Sequence, residues 1–228
     1  MTSIAANLQA VRERIEAACL AAGRQRDSVA LLAVSKTWPA ASLREAAAAG
    51  QRCFGENYLQ EALDKIATLG DPGLEWHFIG PLQSNKTRGV AENFAWVHSV
   101  DRLKLAERLA AQRPPQLPPL KLCLQVNISG EASKSGCDPA KAPDLAEAIA
   151  RLPGVTLKGL MTIPEPSDDI ALERSRFAAL RELLETINAR LGGGLDTLSM
   201  GMSDDLEAAI MEGATIVRVG TAIFGQRN

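Results

Sequence analysis

Histidine, cysteine and tyrosine are scarce in this chain of 228 residues, with two His, four Cys and one Tyr. His77 and His98 are the only imidazoles, so no histidine-built metal centre is expected. Cys19, Cys53, Cys123 and Cys137 form no CxxC pair, and none sits near a histidine at zinc-ligand spacing. They read as reduced, mostly buried thiols of a cytoplasmic protein. An excess of charge is also lacking: 25 Lys+Arg against 27 Asp+Glu leaves a net charge of -2. That excludes a basic footprint for nucleic acid or for an anionic membrane. No apolar run approaches the roughly 20 residues of a membrane span. The first residues lack a basic stretch followed by an apolar one, so no secretory signal is expected.

The chain is 46% hydrophobic, enough for a full core, and 1–228 reads as one domain. Ile4, Leu8, Val11, Ile15 and Ala18 recur at helical spacing and predict an amphipathic first helix that stops at Gly23. Strand-like and helix-like runs then alternate. The strands are VALLAVS from Val29, QRCFG from Gln51, EWHFIG from Glu75, AWVHSV from Ala95, KLCLQVN from Lys121, TLKGLMT from Thr156, DTLSMG from Asp196 and TIVRVG from Thr215. Between them lie runs rich in Ala, Leu, Glu and Arg, of which QSNKTRGVAENF is the weakest helix. The Pro-rich RPPQLPP reads as a stiff loop into the fifth strand. Alternating β and α predicts a parallel sheet covered by helices, and eight units predict closure into a (β/α)8 TIM barrel with an added N-terminal helix. An open doubly wound sheet is the alternative, but no GxGxxG follows the first strand.

Barrels place their chemistry at the carboxyl ends of the strands. Strand one runs through LLAVSKTWPA and ends on Lys36, and strand eight carries Arg218. Closure makes these strands neighbours, about 4.8 Å apart. Side chains alternate, so Lys36 shares a face with Val34 and Leu32, and Arg218 with Ile216. Two cations side by side are unfavourable unless an anion lies between them or one loses its charge. A phosphate would supply the anion, and a Schiff base would remove the ammonium. Small residues in SMGMS and GTAIFG leave backbone N–H groups for a phosphate, with hydroxyls from Ser199 and Thr221. Asp204 and Asp205 would cap the next helix and repel an anion there. The phosphate is therefore expected on the Ser199–Met200 loop and the Gly220–Thr221 turn.

In this order, AVSKTWP, FGENYLQE, HFIGPLQSNK, EASKSG, LSMGMSDDLEAAI and VRVGTAIFG resemble the pyridoxal phosphate homeostasis protein family, over about Val34 to Gly225. That family is in turn similar to the barrel domain of bacterial alanine racemases. The resemblance implies a fold-type III barrel with pyridoxal 5'-phosphate (PLP) as a Schiff base on Lys36. It places Arg218 at the pyridine nitrogen, Ser199, Met200, Gly220 and Thr221 at the phosphate, and Asn57 beside the ring. His77 is a second candidate for the pocket wall, or packs within strand three. A cation at the pyridine nitrogen keeps it unprotonated and weakens the ring as an electron sink. Racemisation needs a base on each face of the α-carbon. Alanine racemases take the second from a tyrosine of a further domain, whereas the one tyrosine here is Tyr58, in the second βα loop. The resemblance thus implies a cytoplasmic protein that buffers and delivers PLP, with recipient apo-enzymes as partners and no residue in a catalytic role. The first helix and Trp38 pack either on the barrel or on another chain, and a monomer is the expected state. A PLP-dependent racemase or other Schiff-base enzyme is the alternative, and a barrel for another phosphorylated aldehyde a third.

Overall fold

The computed structural model describes residues 3–131 and 135–226, so part of the EASKSG motif, 132–134, lies outside the described residues. Each strand-like run of the sequence forms a strand: β1 (Ala30–Val34), β2 (Cys53–Glu56), β3 (Glu75–Phe78), β4 (Trp96–Val100), β5 (Leu120–Gln125), β6 (Val155–Met161), β7 (Thr197–Ser199) and β8 (Ile216–Val219). They close in the order β1 to β8, every neighbouring pair parallel. The expected eight-stranded barrel is the observed fold. In the closing pair, Leu32 lies opposite Arg218 and Ala33 opposite Val219.

The alternation of side chains sorts the core into two layers. Leu32, Val34, Ile79, Trp96, Cys123, Met161 and Ile216 fill the interior. Ala33, Phe54, Leu122, Leu160, Val217 and Val219 point outward into the larger cluster beneath the helices. Full burial of a Leu or Phe stabilises by about 1.5–3 kcal/mol, so this outer layer carries most of the stability. The interior can then hold polar residues, and it does: His77, His98, Ser199 and Arg218 are all buried there, while Glu56 is buried on the outer face, against Lys65 of the third helix.

The covering helices are α2 (Ala40–Ala48), α3 (Leu59–Leu69), α4 (Thr87–Asn93), α5 (Leu103–Gln112), α6 (Ala142–Ala150), α7 (Ile170–Leu191), α8 (Leu206–Met211) and α9 (Thr221–Phe224). The weak QSNKTRGVAENF run starts as a 3-10 turn, Ser84–Lys86, before α4. α1 (Ile4–Ala21) is capped by the Ser3 hydroxyl, which accepts from the Ala6 N–H, and buries Leu8, Val11, Ile15, Ala18 and Cys19. Its polar face ties to the last two βα units: Asn7 donates to the Ile223 carbonyl of α9 at 2.8 Å, and Arg14 pairs with Glu207 of α8 at 2.9 Å. Trp38 stacks on Phe224, ring centroids 5.8 Å apart. The first helix and Trp38 therefore both pack on the barrel. Among the described residues no helix is long and apolar enough to cross a membrane.

Candidate functional site

Lys36 stands on a pinned turn. β1 ends at Val34, and the Trp38 N–H closes the turn onto the Ser35 carbonyl at 3.1 Å. Thr37 adopts φ 69°, unusual for a β-branched residue. Its N–H donates to Glu61 Oε1 at 2.5 Å, which holds that conformation. Beneath lies a buried network. The Ser35 hydroxyl donates to Glu56 Oε1 at 2.6 Å, and Lys65 Nζ donates to Glu56 Oε1 and the Ser35 carbonyl, both at 2.7 Å. Burial pushes the Glu56 carboxyl up, while the bonds from Lys65 and Ser35 pull it back.

Lys36 lines a cavity of about 200 Å³ at the barrel mouth together with Val34, Asn57, Ile79, Arg218, Gly220 and Thr221. The structure thus brings together five of the seven residues singled out for the cofactor. Asn57 presents a buried Oδ1 that has no partner among the described residues. Gly80 sets its position, since a Cβ there would fall 2.3 Å from the Asn57 carbonyl oxygen. Gly220 packs against β1, where a Cβ would meet the Val34 carbonyl oxygen at 3.1 Å. The N–H groups of Gly220 and Thr221 make no backbone hydrogen bond among the described residues and stand at the cavity wall.

Ser199 and Met200, expected at the phosphate, do not line that cavity. Strand alternation turns Ser199 into the barrel interior and Met200 outward, where it is fully buried in the outer core. The Met200 N–H is already given to the Ile216 carbonyl at 3.1 Å. Met202, Ser203 and Asp204 line the cavity instead. Arg14 holds this segment from α1, donating to the Ser203 carbonyl at 3.0 Å. Asp205 does not cap α8: its carboxylate accepts the Met202 N–H at 2.5 Å.

Arg218 is 4% exposed. Nη1 donates to the Ser199 carbonyl at 2.6 Å and to Ser199 Oγ at 2.9 Å, and Nη2 to the Thr162 carbonyl at 2.8 Å. These partners are all neutral. Burial pushes the guanidinium down to about 10, opposed by Asp205, and leaves it cationic at neutral pH. Three of its five N–H groups are used, so the remainder can serve a ligand. A buried cation, a lysine, an orphaned amide oxygen and two spare backbone N–H groups around one cavity suit an anionic ligand with a polar ring. The residues present fit PLP.

His77 does not wall the cavity. It stacks on Trp96 in the interior at 5.5 Å, bonded to His98 and Glu75. At the amino-terminal end of the barrel, ligand atoms of Cys53, Glu75 and His77 lie within 4.8 Å of one another. Lys121 stands 3.4 Å from Glu75 Oε2, and these bonds hold the Glu75 carboxyl at about 2. Sequence reasoning missed this group. The period-two spacing of Glu75 and His77 put them on one face, but only the register across β2 and β3 brings in Cys53.

Comparison with known proteins shows the family. The family model described as alanine racemase, N-terminal domain, matches residues 3–228. The pyridoxal phosphate homeostasis protein of Pseudomonas aeruginosa is 64% identical over 100% of this chain and 97% of its own length. That of Escherichia coli K12 is 52% identical, covering 100% and 98%. Among solved structures, PipY of Synechococcus elongatus with PLP bound superposes with a TM-score of 0.87 at 42% identity, over 98% of this chain and 100% of that one. Alanine racemase of Corynebacterium glutamicum, 19% identical with a TM-score of 0.68 over 96% of this chain and 61% of its own, shares the fold. From barrel, cavity and relatives together, the chain belongs to the pyridoxal phosphate homeostasis proteins.

Proposed function

We propose that this protein binds PLP as a Schiff base on Lys36 and serves in PLP homeostasis, holding and releasing the cofactor without turning over an amino acid. The observation that carries this is the shared cavity of Lys36 and Arg218, which Asn57, with its orphaned Oδ1, also lines. PLP supplies an aldehyde that an amine captures reversibly. Lys36 provides the amine. Arg218 would face the pyridine nitrogen and keep it unprotonated, Asn57 would stand beside the ring, and Gly220, Thr221 and Ser203 would hold the phosphate. Asp204, at the same wall, opposes the anion and favours release.

Holding rather than catalysis is supported by the cavity wall, where among the described residues no tyrosine or histidine joins Lys36 and Asp204 is the one carboxylate. Tyr58 is 56% exposed and does not line it. Cytoplasmic delivery to PLP-dependent apo-enzymes follows from this reading. Titrating the protein with PLP should produce a visible band in wild type and none of it in Lys36→Ala. Incubation with alanine in D2O should leave the α-proton in place. A colourless wild type, or Lys36-dependent exchange at the α-carbon, overturns the respective half of the proposal.

A further inference from the structure

We propose that Glu75, at the far end of β3 from the cavity, is a positioning residue for Arg218, because it fixes the direction of a hydrogen-bond chain running Glu75–His77–His98–Ser199–Arg218 through the barrel. The inference rests on the PLP reading above, in which Arg218 meets the pyridine nitrogen.

The chain is continuous. Glu75 Oε1 is 3.1 Å from His77 Nε2, His77 Nδ1 is 2.9 Å from His98 Nε2, and His98 Nδ1 is 2.8 Å from Ser199 Oγ. Arg218 Nη1 completes it, donating to Ser199 Oγ at 2.9 Å. Both imidazoles are buried, and burial holds both neutral. Each then has one donor nitrogen and one acceptor nitrogen.

Two directions are available to neutral imidazoles. In the first, the Ser199 hydroxyl donates to His98 Nδ1, His98 Nε2–H donates to His77 Nδ1, and His77 Nε2–H donates to the Glu75 carboxylate. Every donor meets an acceptor. In the second, both rings carry the proton on Nδ1, and the lone pair of His77 Nε2 faces the carboxylate 3.1 Å away. Two acceptors at that distance repel, so the charge on Glu75 selects the first direction. Lys121, on β5, stands against Glu75 and favours its ionised form.

The direction matters at the other end. A serine oxygen whose hydrogen is donated away is a stronger acceptor for Arg218, since hydrogen bonds in a chain polarise one another. In the reverse direction Ser199 Oγ receives two donors and its own hydrogen leaves the chain. Arg218 is then held less firmly, and its remaining N–H groups are less well aimed at a ring nitrogen.

The test uses 15N NMR of the PLP-free protein, where the two histidines give two imidazole spin systems. Wild type should show both rings as neutral Nε2–H tautomers. Glu75→Met should bring in the Nδ1–H tautomers, shift the pH titration of the visible band of the PLP-loaded protein, and speed PLP dissociation roughly fivefold. Glu75→Gln offers His77 Nε2 either an accepting oxygen or a donating N–H, so it no longer selects a direction and should show both tautomers. Nδ1–H tautomers in wild type overturn the chain whatever the variants do. Unchanged tautomers and an unchanged PLP band in Glu75→Met overturn it as well. No PLP band in wild type overturns the underlying PLP reading, and the PLP-free spectra tell that failure apart from the others.

Discussion

Arg218 is held by Ser199: Nη1 donates to both the carbonyl and the hydroxyl of that one residue, at 2.6 and 2.9 Å. No carboxylate is used, so the cation keeps its charge available to a ligand. Ser199→Ala removes one of these acceptors and strands the His98 Nδ1 position behind it. A lost bond to a buried charged group costs about 1.5–3 kcal/mol, so PLP affinity should fall at least about tenfold, read by absorbance titration. Affinity equal to wild type contradicts the role given to Ser199.

Lys65 should matter more than its place on α3 suggests. It bonds Glu56, whose side chain is 0% exposed, and Lys65→Met leaves that carboxylate uncompensated. Breaking such a buried pair costs about 3–5 kcal/mol, measurable by urea denaturation. Adding Glu56→Gln to Lys65→Met should recover part of the loss. A loss equal to that of a surface lysine refutes the network, and so does a double variant no better than the single one.

Gly80→Ala tests the seat of Asn57. The new Cβ falls 2.3 Å from the Asn57 carbonyl oxygen, so the β2–α3 loop must move. Stability should drop by at least about 1 kcal/mol, with weaker PLP binding in the same variant. Wild-type affinity in this variant removes Asn57 from the site.

Stability should fall on mild acidification. His77 and His98 are both held below 6.5 by burial, so between 6.5 and their folded values the unfolded chain binds more protons. Stability is then complete above pH 6.5 and is lost as the pH falls through that window, by up to about 2.7 kcal/mol per unit for two groups. Glu75, held at about 2 against a usual 4.5, adds a further loss between those values. Urea unfolding of the PLP-free protein at several pH values between 7 and 5 reads the slope, and a flat profile contradicts the neutral, buried histidines.

The barrel was legible because the strands are short apolar runs that often end at Gly, Pro or Ser, and Lys36, just past β1, and Arg218, inside β8, stand out against that pattern. Ser199 and Met200 stand away from the cavity wall, and the sequence hides this for a physical reason. β7 is only three residues and wholly buried, so hydrophobicity does not show which of its side chains face inward. The Met200 N–H is consumed by β8, a pairing that no local pattern reveals. The chain from Glu75 to Ser199 was hidden too, because it joins β3, β4 and β7 across the interior and depends on register. The ion pair of Lys65 with Glu61, four residues apart on α3, was visible in principle. Its continuation to Glu56 needed the fold.

Borohydride reduction of the PLP-loaded protein, followed by peptide mapping, asks whether Lys36 carries the cofactor. The expected result is one phosphopyridoxyl group, on the peptide containing Lys36, and none on that peptide in Lys36→Ala. Label on another lysine in wild type, or no label on a protein saturated with PLP, contradicts the site described here.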